Sequence, residues 1–196
     1  MLLHDRFKGY NLILASASPR RRELLAACDI DFTLAERFEC EEQYPADLEA
    51  EKVAEYLSQL KSNAYPTPLA ERDILLTADT VVISGEKILG KPHSEEEARE
   101  MISMLSGATH KVVTGVTLRT VERTVSFSAE SLVSFRTLDA EEIEYYVANY
   151  RPMDKAGAYG IQEWIGYIGI EGIEGSFYNV MGLPVQRLYS SLKELI

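Results

Sequence analysis

The chain has 196 residues, 46% of them hydrophobic and 26% charged, which fits one globular domain, or one domain with two lobes, long enough to bury a core. Its formal net charge of −11 argues against a non-specific nucleic-acid binder, so any anionic ligand must be met by local cations or a metal. No run approaches the roughly 20 apolar residues that span a bilayer, and residues 1–8 lack the apolar block of a secretory signal. The expectation is a soluble cytoplasmic protein with no membrane partner, its two cysteines, Cys28 and Cys40, reduced and packed.

Residues 11–15 read as a buried strand. Ser18 then offers an N-cap oxygen, with Pro19 at the first helical position, where its missing N–H costs nothing. Leu24, Leu25 and Cys28 give that helix its apolar side. An acidic connection at 36–43 leads to Ala50, Val53, Ala54 and Leu57, which recur at helical spacing from a start at Asp47, and the stripe continues to Lys61 and Ala64. Residues 63–73 are a proline-bearing loop. Residues 74–83 form a near-continuous apolar strand that turns at Ser84-Gly85-Glu86 into a short partner.

Ser94 and Glu97 form a capping-box pattern ahead of Ala98, Met101, Ile102 and Leu105; Asp139 and Glu142 repeat it before Ile143, Tyr146 and Val147, in a helix ended by Asn149 and Pro152. Between these helices, 111–120 and 124–135 are long β-branched strands joined as a hairpin. The glycine- and aromatic-rich stretch 155–182 predicts short strands and ligand-facing loops, and 184–195 closes as a helix.

Chemistry concentrates at a few joins. The turn from Ser16 to Arg22 presents the unpaired N–H groups of a helix N-terminus together with serines and arginines, a ready anion site. It lacks the glycines of a P-loop, and no G-x-G-x-x-G occurs. Asp79 lies in a strand that otherwise reads as buried and so needs a cation or hydrogen bonds. Lys61, on an apolar helix stripe, must snorkel out or meet an anion. Lys91 is held between Gly90 and Pro92 on a constrained loop. The run Glu39-Cys40-Glu41-Glu42 contains carboxylates suited to Mg²⁺ or Mn²⁺, or else is a solvated loop. His4, His93 and His110 are too scattered to hold zinc. In Asp154-Lys155-Ala156-Gly157-Ala158-Tyr159-Gly160-Ile161-Gln162, small residues admit a ligand close to the backbone, and one amide can donate and accept together, as a base edge requires.

These pieces occur in one order: Ser16-Ala17-Ser18-Pro19-Arg20-Arg21, Ala78-Asp79-Thr80-Val81-Val82, Gly90-Lys91-Pro92, Gly107 with His110, Val112, Thr114 and Val116, the 154–162 segment, and Asn179-Val180-Met181-Gly182-Leu183-Pro184. In that combination the chain resembles the Maf family of nucleoside triphosphate pyrophosphatases, on its dTTP/UTP branch, from about Leu12 to the C-terminal helix. The resemblance implies an ITPase-like α/β fold, a long twisted mixed sheet flanked by helices with two lobes around a central cleft. It further implies one domain over residues 1–196 and a homodimer. It implies hydrolysis of dTTP, UTP or modified pyrimidine nucleotides to the monophosphate and pyrophosphate with a divalent metal, Mg²⁺ or Mn²⁺.

The family's proton acceptor matches Asp79, its specificity positions match Arg20, Thr80 and Gln162, and its phosphate-contacting lysines match Lys61 and Lys91, with Ser18 on the same anion turn. The metal-associated carboxylate aligns best with Glu41, with Glu39 and Glu42 close by, and is expected to share the ion with Asp79. The branch acting on 7-methyl-GTP does not carry Ala158-Tyr159-Gly160-Ile161-Gln162. The rival readings are that activity and a non-catalytic nucleotide-binding regulator of cell division.

Overall fold

The computed structural model of the chain describes residues 2–196. The first strand, Asn11–Leu14 (β1), buries Leu12, Ile13 and Leu14 in succession, as a strand covered on both faces must. It runs parallel to Thr33–Leu34 (β2) and to Asp73–Ser84 (β3), with Ile13 opposite Leu75 and Leu14 opposite Leu76. β3 turns at Gly85 into the antiparallel Lys87–Leu89 (β4). Thr109–Arg119 (β5), Thr124–Phe135 (β6) and Ile170–Glu174 (β7) complete a seven-stranded mixed sheet of order β2-β1-β3-β5-β6-β7, with β4 paired to β3. The α/β class expected from the sequence is the one observed.

The helices are Leu3–Arg6 (α1), Pro19–Ala26 (α2), Ala50–Ala64 (α3), Glu95–Leu105 (α4), Ala140–Tyr150 (α5), Trp164–Gly169 (α6), Phe177–Met181 (α7) and Val185–Leu195 (α8), with a 3-10 turn at Ala156–Ala158. Among the described residues no helix is long and apolar enough to cross a membrane. Cys28 and Cys40 are free thiols.

Several boundaries differ from the sequence expectation for local reasons. Asp47 lies in a turn closed by Leu48 N–H donating to the Pro45 carbonyl at 3.1 Å, so α3 starts at Ala50 with Glu49 as its N-cap. α5 runs one residue past Asn149 and stops at Arg151, whose φ of 45° is left-handed. At α4, Ser94 Oγ accepts from Glu97 N–H as expected, but the Glu97 carboxylate accepts from His93 N–H at 2.7 Å, one residue before the cap. The stretch 155–182 holds α6 and α7 beside its one strand. Gly166 permits this: a Cβ there would stand 1.9 Å from the Ile161 carbonyl oxygen, an approach no other residue allows and no strand pattern reveals.

The chain resolves into two compact units. One takes the chain up to Asp79 with Thr114–Ala129 and Gly182–Ile196; the other takes Thr80–Val113 and Glu130–Met181. In the first, α3 lies against β5 at Gly115, where a Cβ would meet the Ala54 carbonyl group and the Glu55 nitrogen at 2.2 Å. Ser58 Oγ shares a 2.7 Å hydrogen bond with Thr117 Oγ1, and Thr77 Oγ1 donates to the Ser58 carbonyl at 2.7 Å, tying α3 to β5 and β3. In the second, Val82, Leu89, Ile102, Leu105, Phe135 and Tyr146 belong to one core, with the α4 and α5 stripes buried in it.

Candidate active site

The α3 attachment decides where Lys61 goes. Ser58 and Lys61 are three residues apart on one helix face, and Thr77 and Asp79 are two apart on one strand face, so the bond from Thr77 to Ser58 carries the next pair together. Lys61 Nζ donates to Asp79 Oδ1 and lies 3.1 Å from Glu42 Oε1. The lysine and aspartate side chains are only 16% and 14% exposed. Lys61 thus meets an anion rather than snorkelling out, and the partner that Asp79 requires is Lys61.

The carboxylate brought to this lysine from the acidic loop is Glu42. Glu41 is exposed and accepts from Gln43 Nε2 at 2.7 Å, and Glu39 is exposed on the stretch 37–41 that lines an open cavity of about 700 Å³. Among the described residues no three His, Cys, Asp or Glu side chains converge on one point. Two carboxylates gathered about one ammonium nevertheless fit a hard divalent ion that takes the rest of its oxygen shell from phosphate and water.

The anion turn is built differently from its sequence reading. Ser18 occupies the N-cap position of α2 ahead of Pro19, yet its side chain makes no capping bond. Ser16 Oγ organises the turn instead, accepting from Ser18 N–H at 3.3 Å and from an Arg21 terminal nitrogen at 3.0 Å. Arg21 Nε donates to the Gly182 carbonyl at 2.8 Å, which fastens the start of the last segment to the turn. This guanidinium is buried; desolvation lowers its pKa first, and the charges of Asp79 and Glu42 act in the opposite sense to desolvation and to neighbouring Arg20.

Arg21 is the residue of this region that the sequence expectation passed over in favour of Arg20, which is half-buried beside it. A signal existed. Arg21 precedes Leu24 and Leu25 by three and four residues, on the stripe the helix buries, and a cation in a helix's first turn opposes the dipole unless it faces an anion.

The other residues of the expected site belong to the second unit. Thr80 follows Asp79 on β3 and is half-buried. Lys91 is exposed on a loop whose Gly90 carbonyl accepts from Gly157 N–H at 3.0 Å. Gly157 has φ +69°, and a Cβ there would stand 3.0 Å from a Val82 methyl, so the turn admits only glycine comfortably. Gln162 has a buried amide oxygen with no hydrogen-bond partner within the chain.

The family described as Maf-like protein matches residues 11–195. A dTTP/UTP pyrophosphatase of Porphyromonas gingivalis is 53% identical over 192 residues, covering 97% of this chain and 96% of its own. One of Bacteroides thetaiotaomicron is 52% identical over 186 residues, covering 95% and 96%. Among solved structures, a nucleoside-triphosphatase / dITP/XTP pyrophosphatase of Mycobacterium abscessus aligns over 95% of this chain and 98% of its own, at 13% identity and a TM-score of 0.42. With a family match over nearly its whole length and relatives above half identity, the chain belongs to the Maf family.

Proposed function

We propose that the chain is a nucleoside triphosphate pyrophosphatase that hydrolyses dTTP and UTP to the monophosphate and pyrophosphate. The observation that carries the reading is the meeting of Lys61, Asp79 and Glu42 at one point beside the buried Arg21, a carboxylate and cation set that mere binding of an anion does not require. The relatives named dTTP/UTP pyrophosphatase support the same choice.

Asp79 accepts the proton of the attacking water while the water oxygen bonds to the α-phosphorus and the bridge from that phosphorus to the β-phosphate breaks. Lys61, released from Asp79 by competition with phosphate oxygens, and the arginines of the anion turn neutralise charge that builds on departing pyrophosphate. Asp79 and Glu42 would hold a divalent ion, Mg²⁺ or Mn²⁺, whose chemistry when bound is to polarise the phosphate and lower the pKa of the water. Lys91 supplies a further cation for the phosphates.

Gln162 reads the base: its amide oxygen accepts from N3–H of uracil or thymine, and its amide nitrogen donates to O4. The orphaned oxygen of Gln162 supports this role. Tolerance of a 5-methyl group follows if one pocket takes both bases, which extends the substrate class to modified pyrimidine nucleotides. Release of pyrophosphate from UTP, dTTP, CTP, ATP, GTP and 7-methyl-GTP with Mg²⁺ or Mn²⁺ tests the proposal. UTP and dTTP should lead; equal rates across the panel remove the specificity, and no turnover removes the activity.

A further inference from the structure

Gln162 is flanked on both sides by residues whose positions are pinned. Two residues before it, Gly160 N–H donates to the Tyr146 hydroxyl at 3.0 Å; one residue after it, the Glu163 carboxylate accepts from that same hydroxyl. The other oxygen of Glu163 lies 3.1 Å from Lys155 Nζ, which also bonds Asp154 at 2.7 Å. Lys155 is 8% exposed at its side chain, and an ammonium this deeply buried is sustained only by such pairing.

The backbone is shaped around the same carboxylate. A Cβ on Gly160 would stand 2.8 Å from the Glu163 carboxyl carbon, and Glu163 N–H closes the turn onto the Gly160 carbonyl at 3.0 Å. Ile161 is seated by the close approach of Gly166 to its carbonyl. Tyr146 is fully buried, and burial followed by the hydrogen bond to Glu163 pushes its phenol pKa up, so it remains a donor. Residues 160, 161 and 163 are therefore held, while the Gln162 amide oxygen between them has no partner.

We infer that Tyr146, Glu163 and Lys155 form a clamp that aims the Gln162 amide, and that these positioning residues set the preference for uracil and thymine. The inference rests on the reading of Gln162 as the base-reading residue. None of its three residues belongs to the hydrolytic group of Lys61, Asp79 and Glu42 proposed above. Its loss should widen the orientations of one amide and leave the hydrolytic group intact.

Steady-state kinetics with UTP, CTP and ATP on Tyr146→Phe, Glu163→Ala, Glu163→Gln and Gln162→Ala test it, with a thermal melt identifying the folded variants. In Tyr146→Phe and Glu163→Ala, KM for UTP should rise about tenfold and the UTP-over-CTP ratio of kcat/KM fall similarly, with kcat within about twofold of the parent. Glu163→Gln keeps an acceptor for Tyr146 and should lie nearer the parent. Should Tyr146→Phe not fold, the two Glu163 variants decide.

Parent-like KM and base preference in the folded clamp variants, or an equal loss of kcat for every nucleotide, overturns the clamp. If Gln162→Ala abolishes base preference while the clamp variants keep it, the clamp alone fails. If Gln162→Ala also keeps it, the base reading fails and takes the clamp with it.

Discussion

Lys61 meets Asp79 because Thr77, two residues before Asp79 on β3, donates its hydroxyl proton to the Ser58 carbonyl, three residues before Lys61 on α3. A neutral, buried hydrogen bond thereby sets the placement of a charged pair. The first expectation follows: Asp79→Asn keeps the shape and should fold, but lose about 10²- to 10⁴-fold in kcat, the range for removal of a proton acceptor. Near-parent turnover in a folded variant, by pyrophosphate release, would sink the assignment.

Glu42 faces Lys61, and Glu41 bonds Gln43 at the surface. Calorimetric titration with Mn²⁺ should therefore separate the two neighbours. Glu42→Gln is expected to weaken binding at least about tenfold and Glu41→Gln to leave it near the parent. The reverse order would transfer the metal role to Glu41.

The contact at Gly115 should be among the least forgiving in the chain, because the atoms that a Cβ would meet at 2.2 Å are backbone atoms of α3 and cannot rotate away. Gly115→Ala is expected to lower the unfolding free energy by about 1–3 kcal/mol, as overpacking does, and to reduce turnover by shifting Lys61. Urea denaturation and kinetics on the same sample check both. A neutral effect on stability would show that α3 does not lie this close to β5.

Arg21 bridges Ser16 and the Gly182 carbonyl from a buried position. Arg21→Gln keeps most of the volume but loses the fork, and should cost about 1–3 kcal/mol for the polar groups left without their donor. Thermal unfolding measures this. An unchanged stability curve would mean that the anion turn is held by other contacts.

His110 is sealed between Tyr159, whose hydroxyl lies 2.6 Å from its Nε2, and Phe135, and burial pushes its pKa down from the ordinary 6.5 to about 4. The unfolded chain thus binds the extra proton first. The contribution of His110 is whole above pH 6.5 and lost as pH falls toward 4, on the order of 3 kcal/mol across the window. Denaturant midpoints over that range should fall more steeply for the parent than for His110→Gln; equal slopes would contradict the burial.

Much of this molecule is legible in the sequence wherever the determinants are local. The stripes and caps of α4 and α5 lie within a few residues of one another, the Ser-Pro pair marks the start of α2, and an aspartate in an apolar strand announces that it needs a partner. The identity of that partner, the choice of Glu42 over Glu41, the burial of Arg21 against Gly182, and the two short helices around β7 were decided only in three dimensions. The pair of Lys61 with Asp79 spans 18 residues and that of Arg21 with Gly182 spans 161, and no periodicity records a contact over such separations. Burial and charge pairing choose among locally equivalent side chains only once the sheet has brought them together.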